Sequence, residues 1–270
     1  MGNTVSVDTV AKLVGIKVLE LEDAYAEMAL NETEDQYLRS CTESRPNMDA
    51  IHKIYMKPCR PPVNTQQMSN AAIQAVPDGL IPSGTIKVGV FEDGLPHTRP
   101  PKTIWFPESL LRKDNEKFNE TFLHECIHLH QREHEDLWDQ FYREQWNCIR
   151  YKGSIPKELE ERRRLNPDTI RAPFYAWHGP NGLYIPITVY KRPEDADLSE
   201  VRIVFLRPDG SWSSVIPPGW MDFFGTQNPS LCEHPHEMAA YILSDNSNPF
   251  DSEAAKRLRI AYKTFNRGRK

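Results

Sequence analysis

The 270-residue sequence predicts a mixed α+β fold. Three observations carry this. Apolar residues recur at helical spacing in several stretches, most fully over 114–149. Short alternating runs bounded by turn residues recur at 85–91, 102–106 and between 173 and 216. The composition, 39% hydrophobic and 26% charged, is globular, and the length allows one sizeable core or a core with a smaller appendage.

In chain order, "KVLELEDAYAEMALNETEDQYL" places Val18, Leu21, Tyr25 and Met28 on one helical face. "MDAIHKIYM" and "QQMSNAAIQAV" are shorter helical candidates, and the Pro-rich "KPCRPPVN" between them is a connector. Strands follow at 85–91 ("TIKVGVF") and 102–106 ("KTIWF"), joined by the loop "EDGLPHTRPP". Asp114 is a good N-cap for a helix reaching His134, and a second helix is expected from Glu135 to Ile149. "IPKELEERRRLNPDT" reads as a short charged helix stopped by Pro167, with Arg162, Arg163 and Arg164 on a solvated face. Two hairpins are expected: "PFYAWHG" with "LYIPITVYK" through "PNG", and "EVRIVFL" with "SWSSVI" through "RPDG". After the irregular 217–234, "HPHEMAAYIL" is helical with Pro235 in its first turn, and a last helix spans Ser252 to Thr264. The expected division is a helical lead-in (1–80), an α+β domain (81–250) and a basic helix or tail (251–270), with no internal repeat.

The formal charge of −5 does not call for a nucleic-acid partner. Its distribution is uneven: residues 1–50 hold ten acids against four bases, and residues 251–270 two acids against seven bases. Such a tail suits the negative end of a helix dipole. Five cysteines without a CxxC pair predict neither a disulfide framework nor a thiolate zinc site, and fit a reducing compartment such as the cytoplasm. No signal peptide or bilayer-spanning run is read. "MGNTVS" matches the N-myristoylation pattern with Gly2 as acceptor. One acyl chain anchors weakly, so peripheral membrane residence would need a second signal, which the basic tail could supply.

Four of the nine histidines fall within eleven residues, in "TFLHECIHLHQREHEDLW" (121–138). On a helix, His124 and His128 project from one face and can reach one ion. Glu125 is offset by one position, where its carboxylate can meet a water on that ion. This is the HExxH arrangement, in which two imidazoles hold Zn²⁺ and the Glu takes a proton from the bound water. Phe122, Leu123, Cys126, Ile127 and Leu129 predict a mostly buried helix. A catalytic zinc takes a third protein ligand and keeps one position open. His134 stands where HExxHxxGxxH sites put theirs, but Gln131 replaces the glycine which lets the chain turn there. Glu237, in the predicted helix "HPHEMAAYIL", is the other candidate.

HExxH followed by a distant helical Glu resembles the gluzincin group of zinc metallopeptidases, and within it the zinc-peptidase-like proteins of large DNA viruses and some algae and bacteria. "TFLHECIHLHQR", "LNPDT" and "HPHEMAAY" carry the resemblance, over roughly 100–245. It implies a zincin-like fold: a small sheet whose edge strand aligns a peptide, an HExxH helix beneath it and a second helix bringing the third ligand. It also implies His124, His128 and Glu237 as Zn²⁺ ligands and Glu125 as base. Many gluzincins have an acidic residue three or four positions beyond the third ligand. Ala240 and Tyr241 stand there, leaving Asp222 or Asp245 as supports for the ligands. His236 is an alternative ligand, although adjacent helical residues point about 100° apart. His234 and Tyr241 are candidates for oxyanion stabilisation or support. His52, His97 and His178 read as core or surface residues.

The expected activity is zinc-dependent hydrolysis of a peptide or protein substrate, with a strand such as "KTIWF" holding the substrate backbone. The rival is a non-catalytic structural or binding protein, a virion component or membrane-associated adaptor using Gly2 and the tail, with a fourth ligand such as His236 closing the metal. A third reading is a protease recruited to nucleic acid by the tail.

Overall fold

A computed structural model describes residues 15–44, 57–112, 115–192, 198–245 and 251–265. Gly2 and its acylation pattern, the helical candidate at 48–56 with His52, the Asp114 cap, and the last cations Arg267, Arg269 and Lys270 lie outside the described residues.

The described residues form two small sheets surrounded by helices, a mixed α+β architecture. The first sheet contains β1 (Ile16–Val18), β2 (Ile86–Phe91), β3 (His97–Arg99) and β4 (Thr103–Pro107), in the order β1-β2-β4-β3. The first two pairings are parallel and β3 runs antiparallel to β4. The connector expected as plain loop therefore carries a strand. "KTIWF" is flanked on both sides, by β2 and β3, so its ladder groups are committed and the sheet edge belongs to β3.

Two helices precede β2 on one side of this sheet. Helix α1 (Leu21–Asp35) ends where Gln36 turns left-handed at φ 54°, and α2 (Tyr37–Ser44) starts immediately after it. Side chains of α1 cap α2: Asp35 accepts from Tyr37 N–H, and Glu32 from Leu38 and Arg39 N–H. α1 meets the sheet with a polar stripe at i, i+4 and i+8. Glu27 takes Thr103 and Lys87, Asn31 takes Trp105 and Pro100, and Asp35 takes Arg99, which is 1% exposed. Gly89 on β2 has no substitute, since a Cβ there would lie 2.4 Å from the Trp105 ring.

The opposite side of the sheet is apolar. Val88, Val90, Ile104 and Phe106 pack against α3 (Thr65–Ala75) and the long α5 (Asn115–Glu133), which follows the single turn α4 (Glu108–Leu111). Phe106 lies 5.2 Å from Phe118 and 6.0 Å from Phe122, ring centre to ring centre. Helix α6 (Glu135–Gln145) continues after a break at His134. It stops before Ile149, because Asn147 is left-handed at φ 53° and Cys148–Arg150 becomes strand β5.

The second sheet is antiparallel throughout, β5-β6-β7-β8-β9, with β6 (Tyr175–Gly179), β7 (Gly182–Tyr190), β8 (Val201–Leu206) and β9 (Trp212–Ser213). Both expected hairpins are present. Tyr175, Trp177, Tyr184, Ile203 and Phe205 face the main core, while Ala176, Ile185, Ile187, Val204 and Leu206 form a smaller cluster on the other face. The charged helix before it, α7 (Lys157–Glu160), is one turn only. Arg162–Arg164 leave it and run beside β7, with Arg164 N–H donating to Thr188 O and Tyr190 N–H to Arg162 O. They are not a solvated helix face: Arg162 donates to Tyr190 O and Arg163 pairs with Glu160.

The stretch 217–234 contains two short helices, α8 (Trp220–Phe224) and α9 (Pro229–Cys232). Then come α10 (Pro235–Ser244) and α11 (Glu253–Phe265). Ala254, Ala255 and Leu258 of α11 are buried in the main core, as are Met68, Ala72 and Ile73 of α3. The segments at both ends thus contribute to the same body as the centre. Arg257 is held by Glu253, by the Gln145 carbonyl and over the Phe223 ring. All five cysteines are free of disulfides. No helix of the described residues is long and apolar enough to cross a membrane.

Candidate metal centre

Helix α5 lies against α10, and the contact brings His124, His128 and Glu237 together. The Nε2 atoms of the two imidazoles are 3.0 Å apart. His124 Nε2 lies 3.5 Å from Glu237 Oε2, and His128 Nε2 lies 3.4 Å from Glu237 Oε1. Donor atoms about 2.0–2.1 Å from a tetrahedral zinc stand about 3.3 Å from one another. The three observed separations bracket that value. Two nitrogens and a carboxylate oxygen also match what a borderline-soft divalent ion selects over calcium or magnesium. These three residues could therefore hold a divalent metal.

Each of the three side chains is held from behind. His128 Nδ1 is 2.8 Å from Gln131 Oε1, so with that nitrogen donating, the lone pair of the neutral ring is at Nε2. Gln131 is fully buried and donates through Nε2 to the His236 carbonyl at 3.0 Å and toward the Tyr142 hydroxyl at 3.3 Å. Ser244 Oγ stands 3.5 Å from His124 Nδ1, and the Tyr241 ring stacks edge-on against His124 at 4.6 Å. Asn166 donates at 2.8 Å to Glu237 Oε1 and also to Glu233, which Arg164 anchors at 2.6 Å. Glu237 sits in the first turn of a ten-residue helix, where the dipole favours its charge.

The electrostatics follow from burial and proximity. Burial opposes ionisation of Glu237, but His128 and His124 outweigh it and hold the carboxyl well below its usual range. Burial likewise disfavours an imidazolium at His128, yet Glu237 and then Asp168 overcome this and raise it to about 10. Burial leads at His124, which is lowered. Imidazoles this close accommodate one positive charge between them, not two. Glu125 is 2% exposed, and burial, then Asp168, raise its carboxyl well above the ordinary range. Its Oε2 has no hydrogen-bond partner among the described residues. Burial also pushes Glu233 up to about 7, against the pull of Arg164.

A cleft of about 430 Å³ opens over the cluster. His97, His124, Glu125, Asn166, Asp168 and Tyr241 are among the residues lining it. His97, expected as a plain core or surface residue, is in this wall, with Nδ1 3.0 Å from Leu95 O. Burial lowers it to about 4.

Several expected roles are filled by other residues. His134 is not in the cluster; it begins α6 and packs on His130 at 4.3 Å, because α5 continues through Gln131 instead of turning. His130 accepts from Trp138 Nε1, so only two of the four clustered histidines face the site. His236 turns into the aromatic group of Tyr142 and Tyr175, away from the ligands, and does not close the site. His234 caps α10, with Nδ1 accepting from His236 N–H and Nε2 against the Pro173 carbonyl, so neither nitrogen is left for an oxyanion. Tyr241 does line the cleft. Asp222 lies on α8, outside the cleft lining, and Asp245 lines the cleft just past the end of α10; Gln131, Ser244 and Asn166 contact His128, His124 and Glu237. "LNPDT" gains a mechanism here. Its Asn166 steadies Glu237, and its Asp168 accepts from both Thr98 N–H (2.7 Å) and Thr98 Oγ1 (2.6 Å) on β3.

No protein-family model matches the chain, and neither a curated protein nor a solved structure matches it.

Proposed function

We propose that the chain is a zinc-dependent hydrolase of peptide bonds, built on a zincin-like arrangement with His124, His128 and Glu237 as ligands. The observation that carries the reading is the placement of Glu125: buried, with Oε2 unpartnered, in the wall of an open cleft beside three converging donor atoms. A structural metal site needs no such carboxylate. Zn²⁺ bound here would supply a Lewis acid for the scissile carbonyl and a water of lowered pKa. Glu125 takes up a proton at Oε2 and returns it to the leaving amine. Tyr241, which packs on His124 and lines the cleft, would donate its hydroxyl to the developing oxyanion. Gln131 keeps the His128 proton on Nδ1.

Glu125→Gln tests the reading. Zinc content should stay at wild-type level while hydrolysis of a peptide library falls by about 10²–10⁴-fold. A zinc-loaded wild-type protein that cleaves no member of the library would remove the proposal, and so would a Glu125→Gln protein that cleaves as well as wild type.

A further inference from the structure

Strand β3 is one of the two edge strands of the first sheet, and it borders the cleft through His97. Successive residues of an antiparallel strand turn their N–H and C=O groups alternately toward the partner and away from it. Thr98 N–H is taken by Asp168 Oδ1 at 2.7 Å, and Thr98 C=O by Arg132 Nη2 at 3.0 Å. Thr98 therefore faces outward, and His97 and Arg99 pair with β4. The neighbouring outward positions are Pro96 and Pro100, which have no N–H. The Pro100 carbonyl accepts from Asn31 at 2.7 Å. Across these three positions the edge offers no donor to an incoming strand.

The groups that close the edge are built in. Asp168 also accepts from Thr98 Oγ1, and its own N–H donates to Asn166 Oδ1 at 3.0 Å. Arg132 Nη2 also reaches the carbonyls of Pro167 and Asp168. Because Asn166 of the same loop steadies Glu237, swinging the loop away would release a metal ligand. The loop is a fixed part of the site and not a lid. The cleft is also toward the small end of pockets that enclose small molecules, which run about 300–1,000 Å³.

We propose that the site acts on short peptides held by their side chains and ends, and that the Asp168–Arg132 clamp on Thr98 keeps extended polypeptide off the edge of β3. This rests on reading the cleft as a hydrolytic site. The test is binding, measured by calorimetry on zinc-loaded Glu125→Gln protein, for peptides of two, four, six and eight residues. Affinity should rise to four residues and then stay constant within about twofold, and the Thr98 amide resonance should not shift on saturation. A gain of about tenfold or more from four to eight residues would overturn the proposal, because strand pairing adds main-chain hydrogen bonds with length. A shift of the Thr98 amide, or no binding at any length, would overturn it too. Asp168→Ala frees the Thr98 N–H, the one donor at these three positions, and its amide resonance should then shift on saturation with the eight-residue peptide; an Asp168→Ala protein that folds and binds but whose Thr98 amide still does not shift counts against the clamp. Wild-type protein that fails to cleave the short peptides bound by Glu125→Gln would overturn the hydrolytic reading while leaving the closed edge standing.

Discussion

Replacing Gln131 by Leu would separate support of the metal from the metal ligands themselves. The side chain is fully buried and makes three contacts: Oε1 on His128 Nδ1, and Nε2 on the His236 carbonyl and the Tyr142 hydroxyl. Leu is close in volume, so the cavity cost is small and the effect is one of lost hydrogen bonds. Loss of the group that orients a ligand histidine costs about 10–100-fold in metal affinity, or about 1.4–2.7 kcal/mol. The His236 carbonyl and the Tyr142 hydroxyl lose a donor at the same time, which costs about 1–3 kcal/mol of folding stability. Two assays read these effects separately. Competition with a chromophoric chelator should show zinc affinity weakened by the stated factor, and urea unfolding of the metal-free protein should show a lowered midpoint with unchanged slope. Gln131→Glu restores an acceptor at His128 and should recover zinc affinity, at a cost in stability from burying a charge. Gln131→Leu protein that unfolds earlier but binds zinc as wild type does would refute the role assigned to the His128 contact.

Arg99→Ala leaves Asp35 buried without its guanidinium and should destabilise by about 3–5 kcal/mol in urea or thermal unfolding, since both partners are at most 4% exposed. Acid should weaken the fold between about pH 6.5 and 4. Burial depresses His97 and His234 from 6.5 to about 4, so in that window the unfolded chain takes up protons that the folded chain refuses. The contribution of these two imidazoles is whole above 6.5 and falls as pH drops, by roughly 3 kcal/mol each, and His234→Gln should flatten the acid side of the profile measured by unfolding midpoints. Zinc affinity should fall with falling pH across the neutral range, because metal must displace the proton that Glu237 and Asp168 hold on His128 up to about 10; a pH-independent affinity in chelator competition would contradict that competition.

The parts of the fold that sequence periodicity reached are the ones built on apolar contact. Helix α5 was readable because Phe118, Phe122, Cys126 and Leu129 recur at helical spacing, and both hairpins because Pro-Asn-Gly and Pro-Asp-Gly punctuate alternating runs. Elements buried through polar groups were missed. His97, Thr98 and Arg99 carry no apolar alternation, yet each is at most 4% exposed, because α1, the 166–168 loop and Arg132 satisfy them. The stripe Glu27, Asn31, Asp35 is invisible to a hydrophobic pattern for the same reason. The overextended second helix had a readable stop. Asn is, after glycine, among the residue types that adopt the left-handed conformation with least strain, Asn147 does so, and β5 begins next to it. Gln131 stands where the long motif has glycine, and its spacing of three from His128 puts it over that imidazole on the same helical face. Asn166 lies 71 residues from Glu237 in the chain, and no local rule links them.

That loop has a consequence for how the site tolerates change. Residues 164–168 bind Glu233 through Arg164, Glu233 and Glu237 through Asn166, and β3 through Asp168. Arg132, one turn beyond His128 on α5, grips the loop backbone at Pro167 and Asp168. Helix α5 with His124 and His128, α10 with Glu237 and the sheet edge are thus joined by five consecutive residues. Such a joint fixes the donor atoms against one another more firmly than the contact of α5 with α10 alone, since helix packing tolerates sliding that directional hydrogen bonds do not. In this chain the orienting polar group comes from a loop outside the helix, so positions 240 and 241 are released, Ala240 to pack in the core and Tyr241 to face the cleft.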